Sequence, residues 1–304
     1  MRKSILTSIL TLAVIFLAAN AAGELVRLVR LKLSAGDLAS AVSAVEDYKV
    51  KNGVDAEYLD AVGWLARGAE MLNQPDAAAG YVAELRREIR EEKPDLLGPL
   101  GAAIEVEGKL RAAREGRGPA LRFLEEEFAR AKDVTLRSRI RRTINLLSLE
   151  GQPAPEFNKS DFVGTEPPSL ASLKGKPVLL FLWAHWCGDC KAQAGALGRV
   201  ASKYRPQGLV VIAPTRYYGT GADNKTVAPA EEKAQMAKVW SEFYSGLEGV
   251  PIPIDTDTMV RYGVSATPTF ALIDRKGVVR FYSPTRLSEA ELSRRIETVL
   301  GEKP

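Results

Sequence analysis

Two regimes of hydrophobic patterning divide the chain. Over residues 24–150, Ala and Leu recur at helical spacing among Arg and Glu, with few β-branched runs, so the pattern predicts amphipathic helices. Turn-forming clusters cut this stretch into helical hairpins at Ser34-Ala35-Gly36-Asp37, Asn52-Gly53, Asn73-Gln74-Pro75-Asp76, Glu115-Gly116-Arg117-Gly118-Pro119 and Lys132-Asp133. The turns at Asp37, Asp76 and Pro119 recur about every forty residues, which suggests a short helical-repeat array. After Gly151 the pattern changes. Residues 178–184 and 209–213 are short continuous apolar runs, as strands buried on both faces should be. Residues 191–204 between them read as a crossover helix, giving a βαβ unit. Residues 269–273 and 278–282, separated by Asp274-Arg275-Lys276-Gly277, predict a β-hairpin. Ser288 opens a last helix through Leu300, with Glu289 and Glu291 at its positive dipole end. The polar, Gly-rich stretch 217–229 is long for a connection and is expected to be a loop, either beside the functional site or an inert surface insertion.

The length of 304 residues and this change of pattern predict two domains, a helical repeat-like one over 22–150 and an α/β one over 151–304. Ahead of them, Arg2 and Lys3 precede an apolar stretch over residues 5–19, short of the about 20 residues that a bilayer crossing needs. Ala19-Asn20-Ala21 places small residues where signal peptidase cuts. The expectation is a signal peptide over 1–21, with an uncleaved membrane anchor as the alternative because Ala21-Ala22-Gly23 would extend the apolar segment. No cysteine follows the stretch, which excludes lipoprotein anchoring. Cleavage would lower the formal charge from +4 to +2 by removing Arg2 and Lys3. A nearly neutral mature chain gives no argument for binding nucleic acid or anionic lipid.

The chain's two cysteines fall together in Trp183-Ala184-His185-Trp186-Cys187-Gly188-Asp189-Cys190-Lys191, directly after the first apolar run. That puts a dithiol where a buried strand turns into a helix. Cys187 at the helix N-terminus would see unpaired backbone N–H groups and the positive dipole end, both of which favour a thiolate. Cys190, one turn on, could attack a mixed disulfide formed at Cys187 and release the partner. Zinc is a competing use of the pair, but it needs two more Cys or His ligands and the chain holds a single histidine, His185. A static disulfide is another, although so short a loop removes little chain entropy.

At these residues the chain resembles the thioredoxin-like superfamily, in particular the TlpA/ResA-type extracytoplasmic thiol:disulfide oxidoreductases. Gly151-Gln152-Pro153-Ala154-Pro155-Glu156-Phe157 is similar to the G-x-x-A-P-x-F opening of redoxin-type domains. Leu173-Lys174-Gly175-Lys176-Pro177 is similar to the lead-in to their first core strand. Tyr262-Gly263-Val264-Ser265-Ala266-Thr267-Pro268-Thr269-Phe270 matches the segment that carries their cis-proline. The resemblance covers about half the chain, from Gly151 onward, and implies a thioredoxin-like α/β fold there. It implies Cys187 and Cys190 as the redox pair, with no metal or organic cofactor. It also implies Trp186, Gly188, Thr267 and Pro268 as contacts of the substrate chain. Partners would be protein thiols and disulfides together with a membrane or periplasmic redox partner. Resemblance of the N-terminal half to tetratricopeptide repeats is weak: Trp64 and Gly68 fit the spacing, whereas Met71 replaces an aromatic.

Two departures bear on proton handling. Phe181 stands where thioredoxins keep a buried acid, and Gln193 stands where ResA-type proteins place a Glu. Asp189 between the cysteines would oppose thiolate formation, with Lys191 and His185 expected to offset it. His185 itself is expected to be a solvated residue at a strand end, with a general-base role as the sharper alternative. Trp183 and Trp186 are expected to pack around and shield the dithiol. A peroxiredoxin is excluded because Leu180 and Ala184 occupy its peroxide-binding positions, and copper delivery because no histidine follows Cys190. The function expected is extracytoplasmic thiol:disulfide exchange with protein substrates. The alternative is an interaction protein whose helical repeats bind a protein partner and whose redox domain docks or senses.

Overall fold

The computed structural model describes residues 23–221 and 225–301. The signal-peptide and anchor expectations fall on residues 1–22, outside the described residues. No helix among the described residues is long and apolar enough to cross a membrane.

The described residues form two compact units, one up to Leu136 and one from Arg137 onward. The first is helical: α1 (Glu24–Ser34), α2 (Leu38–Asn52), α3 (Ala56–Met71), α4 (Pro75–Glu88), α5 (Leu97–Glu115) and α6 (Arg117–Arg130). Its turns follow the sequence signals. Asp37 caps α2 by accepting the Ser40 N–H, Asp55 caps α3 by accepting that of Tyr58, and Pro75 opens α4. The sequence signals missed one break: α4 ends at Glu88 and the chain runs non-helically before a short 3-10 turn at Pro94–Leu96. Leu59, Val62, Leu65, Val82, Leu85 and Val106 share the core of this unit.

The second unit starts inside α7 (Val134–Ser148), earlier than the boundary expected at Gly151. The reason is contact: Asn145 donates from Nδ2 to the Arg261 carbonyl at 3.0 Å, and Leu149 is buried with Phe157, Tyr262 and Tyr282. Gly263, at φ +62°, has no room for a side chain because the α7 backbone at Arg142 lies where its Cβ would be.

The main sheet has the order β3-β2-β5-β6, built from β2 (Val178–Leu182), β3 (Val210–Ile212), β5 (Thr269–Ile273) and β6 (Val279–Ser283). β2 and β3 are parallel, joined through α8 (Gly188–Tyr204); β5 and β6 run antiparallel. β1 (Phe162–Val163) and β4 (Ile252–Pro253) form a small antiparallel pair. Side chains alternate across the central strand. Leu179 and Phe181 enter the core that also holds Leu197, Val200, Met236, Ile296 and both cysteines, while Val178, Leu180 and Leu182 enter the core on the other face. All five β2 residues are buried, which accounts for the unbroken apolar run in the sequence. The elements α9 (Pro229–Phe243), α10 (Thr256–Arg261) and α11 (Glu289–Gly301) complete the unit. A helical region is thus followed by a thioredoxin-like α/β domain with a mixed sheet.

Candidate active site

The site forms where β2 ends. After Leu182 the chain leaves the sheet through Trp183, Ala184 and His185, all buried, and enters α8 at Cys187. Cys187 is the N-cap, in extended conformation (φ −74°, ψ 110°), and its Sγ accepts the Cys190 N–H at 3.0 Å. A sulfur thus takes the place of the oxygen that usually satisfies a free amide at a helix start. Cys187 and Cys190 are joined as a disulfide, their Cα atoms 5.2 Å apart. Cys190 is fully enclosed, and Cys187 keeps 4% of its surface.

The peptide between Thr267 and Pro268 is cis, and the Thr267 carbonyl oxygen lies 3.4 Å from Cys187 Sγ. Pro268 is buried and Thr267 half-buried. Gly188 and Trp186 are exposed at the same mouth, with Trp186 set edge-on to Tyr218 at 5.3 Å between ring centres. Trp183 is wholly buried and packs on Trp240 and Tyr244. Phe181 contacts Phe270 and Tyr244, so the place expected of a buried acid is filled by an aromatic cluster.

His185 is not the solvated strand-end residue expected. It is 2% exposed because the loop after β3 folds across it. Its Nε2 lies 2.9 Å from the Thr220 carbonyl, and its Nδ1 is 3.7 Å from Oε1 of Glu232. Burial holds the imidazole below its ordinary pKa; the Thr220 carbonyl and Glu232 pull the other way, and Lys191 adds to the lowering. In the neutral ring Nε2–H donates to Thr220, and Nδ1 has no hydrogen-bond partner. Glu232, also buried, accepts the Tyr218 N–H at 2.7 Å and the Gly219 N–H at 2.9 Å. The loop is therefore tied to the strand end through His185 and to the start of α9 through Glu232. Its Tyr218 hydroxyl, donating to the Trp183 carbonyl at 3.3 Å, has its pKa pushed up to about 12 by burial.

The charge of Asp189 is met differently from expectation. Lys191 places its ammonium over the Phe243 ring, 4.7 Å from the centre, and His185 is neutral, whereas Arg286 Nη1 lies 3.4 Å from Asp189 Oδ1. Gln193 is buried and holds Leu287 at two points, donating to its carbonyl at 2.8 Å and accepting its N–H at 3.0 Å. Glu232, Arg286 and Leu287 were not found from sequence. Glu231 and Glu232 look alike at a helix start, and nothing local marks Arg286 as a neighbour of Asp189. Among the described residues no group of three His, Cys, Asp or Glu side chains is placed to hold a metal ion.

Residues 149–297 match the redoxin family. The thioredoxin-like protein YneN of Bacillus subtilis is 30% identical over 149 residues, which span 49% of this chain and 79% of that protein. The thiol-disulfide oxidoreductase ResA of Geobacillus thermodenitrificans is 29% identical over 151 residues, 49% of this chain and 77% of that protein. The thiol:disulfide interchange protein DsbE of Pseudomonas fluorescens is 29% identical over 130 residues, 43% and 64% of the two chains. With a cysteine pair at the strand-to-helix turn of a thioredoxin-like domain that matches the redoxin family, the chain belongs to the thioredoxin-like proteins and is a thioredoxin-like thiol:disulfide oxidoreductase.

Proposed function

We propose that the protein is an extracytoplasmic enzyme that exchanges disulfides with protein substrates through Cys187 and Cys190. In the reducing direction the Cys187 thiolate attacks a substrate disulfide. A Cys187–substrate bond forms, the substrate's own S–S bond breaks, and the departing thiolate takes up a proton. Cys190 then loses its proton, attacks the Cys187 sulfur, closes the intramolecular disulfide and releases the second substrate thiol. Oxidation of substrate is the same sequence reversed. Thr267 and Pro268 supply the backbone edge beside which the substrate chain lies, with Trp186 and Gly188 at the rim. Residues 1–21 act as a secretory signal that delivers the enzyme to an oxidising compartment. There a membrane or periplasmic redox partner resets the dithiol, and the helical unit engages a protein partner.

The observation that carries this reading is the N-cap geometry of Cys187. Its sulfur faces the Cys190 N–H at 3.0 Å, so a thiolate at that atom gains a charge-assisted hydrogen bond and the helix dipole together. The test is partner trapping in the full-length protein. Cys190→Ser should accumulate mixed disulfides with substrate proteins that reducing agent releases, and Cys187→Ser should not. Trapping through Cys187→Ser instead, or by neither variant, would overturn the assignment.

A further inference from the structure

Arg286 sits in the loop between β6 and α11, far in sequence from the cysteines, yet that loop and the start of α11 are fastened along α8. Asp189 meets Arg286 at 3.4 Å, Gln193 holds the Leu287 backbone at both its N–H and carbonyl, and Arg199 meets Glu289 at 2.7 Å. Leu287 also packs against the core cluster that contains both cysteines. The anchor formed by Gln193 fixes where the neighbouring guanidinium can reach. Asp189 is the acidic residue of the first turn of α8, within the dithiol loop itself.

We infer that Arg286 is a positioning residue of the redox site: by pairing with Asp189 it cancels the negative charge carried between the two cysteines and so keeps Cys187 reactive as a thiolate. The inference rests on the reading of Cys187 as the attacking thiol. Asp189 at a helix N-terminus favours the helix through the dipole, but the same charge opposes a second anion on the adjacent N-cap sulfur. Other ionisable groups around Cys187 do not replace Arg286. Lys191 is drawn over Phe243, His185 is a buried neutral ring, and Glu232 behind it is satisfied by two backbone N–H groups. Tyr218, on the loop against Trp186, stays protonated. The arrangement therefore combines helix stability from the acid with thiol activation from the distant cation.

The experiment follows alkylation of the fully reduced, full-length protein by iodoacetamide across pH, with the labelled cysteine mapped by mass spectrometry. Arg286→Ala should move the midpoint for Cys187 to higher pH and slow labelling below it about 2- to 5-fold, the scale of a solvent-exposed ion pair. Arg286→Lys should recover most of that loss. In an Asp189→Asn background the same Arg286→Ala change should have little effect. Molar salt, which shortens the screening length to about 3 Å, should restore Arg286→Ala toward the parent. An unchanged profile in Arg286→Ala overturns the inference, as does an equal loss with and without Asp189. Should the label map to Cys190, the assignment of the attacking thiol falls and the inference with it, whereas a label on Cys187 that does not depend on Arg286 overturns the inference alone.

Discussion

At the scale of single residues, the site depends on how buried polar groups are matched. His185 and Glu232 are each about 1% exposed at the side chain; His185 ties the loop after β3 to the strand end that carries the cysteines, and Glu232 ties it to the start of α9. Burial keeps the imidazole below its ordinary pKa in the folded chain. Unfolding returns it to about 6.5, so between that value and the lower folded one the unfolded chain binds the extra proton. The contribution of His185 to stability is therefore complete above about pH 6.5 and is lost as pH falls through that window. Denaturant melts from pH 8 to 5 should show a loss in the parent that His185→Gln lacks, the glutamine amide being able to donate to Thr220. Parallel curves would mean that the ring has the same pKa in the folded and unfolded chain. His185 is the chain's one histidine, so its resonance in an NMR titration reports the same proton directly.

At the scale of elements, the sequence was readable wherever a local pattern and a local cause coincide. The strand from Val178 to Leu182 is apolar throughout because both faces are covered, and the cysteine spacing falls at the turn that follows. The last helix is capped where expected, with Ser288 Oγ accepting the Glu291 N–H at 3.2 Å. What local pattern does not encode is which distant loop lies against α8. Gln193 is an example: as a missing acid it suggested only a lost proton carrier, whereas in the fold its amide is both donor and acceptor to Leu287. Gln193→Glu would keep the acceptor, lose the donor to the Leu287 carbonyl, and bury a carboxylate, raising its pKa. We expect a stability loss of about 1–3 kcal/mol at neutral pH. Because the folded state would then bind the proton more tightly than the unfolded chain, the deficit should shrink as pH falls through the raised pKa and be smallest below about 4.3. A pH-independent deficit, measured against the parent by denaturant melts, would show that the carboxylate reaches solvent.

At the scale of the whole molecule, the division into a helical and an α/β half was legible from patterning, but the place of the join was not. Composition changes at Gly151, where strand-forming sequence begins. The physical join lies earlier, because α7 is helical like the first unit and yet packs with the second. Periodicity identifies a helix without saying which neighbour its apolar stripe covers. Here the deciding contacts are long-range: Asn145 to the Arg261 carbonyl, Glu150 accepting the Tyr282 N–H at 3.0 Å, and Arg142 against Gly263. A fragment of residues 134–304 should therefore melt cooperatively, whereas 151–304 loses Leu149 from the core and leaves the Arg261 carbonyl and Tyr282 N–H without these partners. Loss of one buried leucine side chain typically costs about 2–5 kcal/mol, and a stranded buried polar group such as the Tyr282 N–H adds about 1–3 kcal/mol. The shorter fragment should consequently be several kcal/mol less stable, or fail to fold, in denaturant titrations followed by circular dichroism. Equal midpoints for the two fragments would place the boundary back at Gly151 and make α7 a dispensable connector.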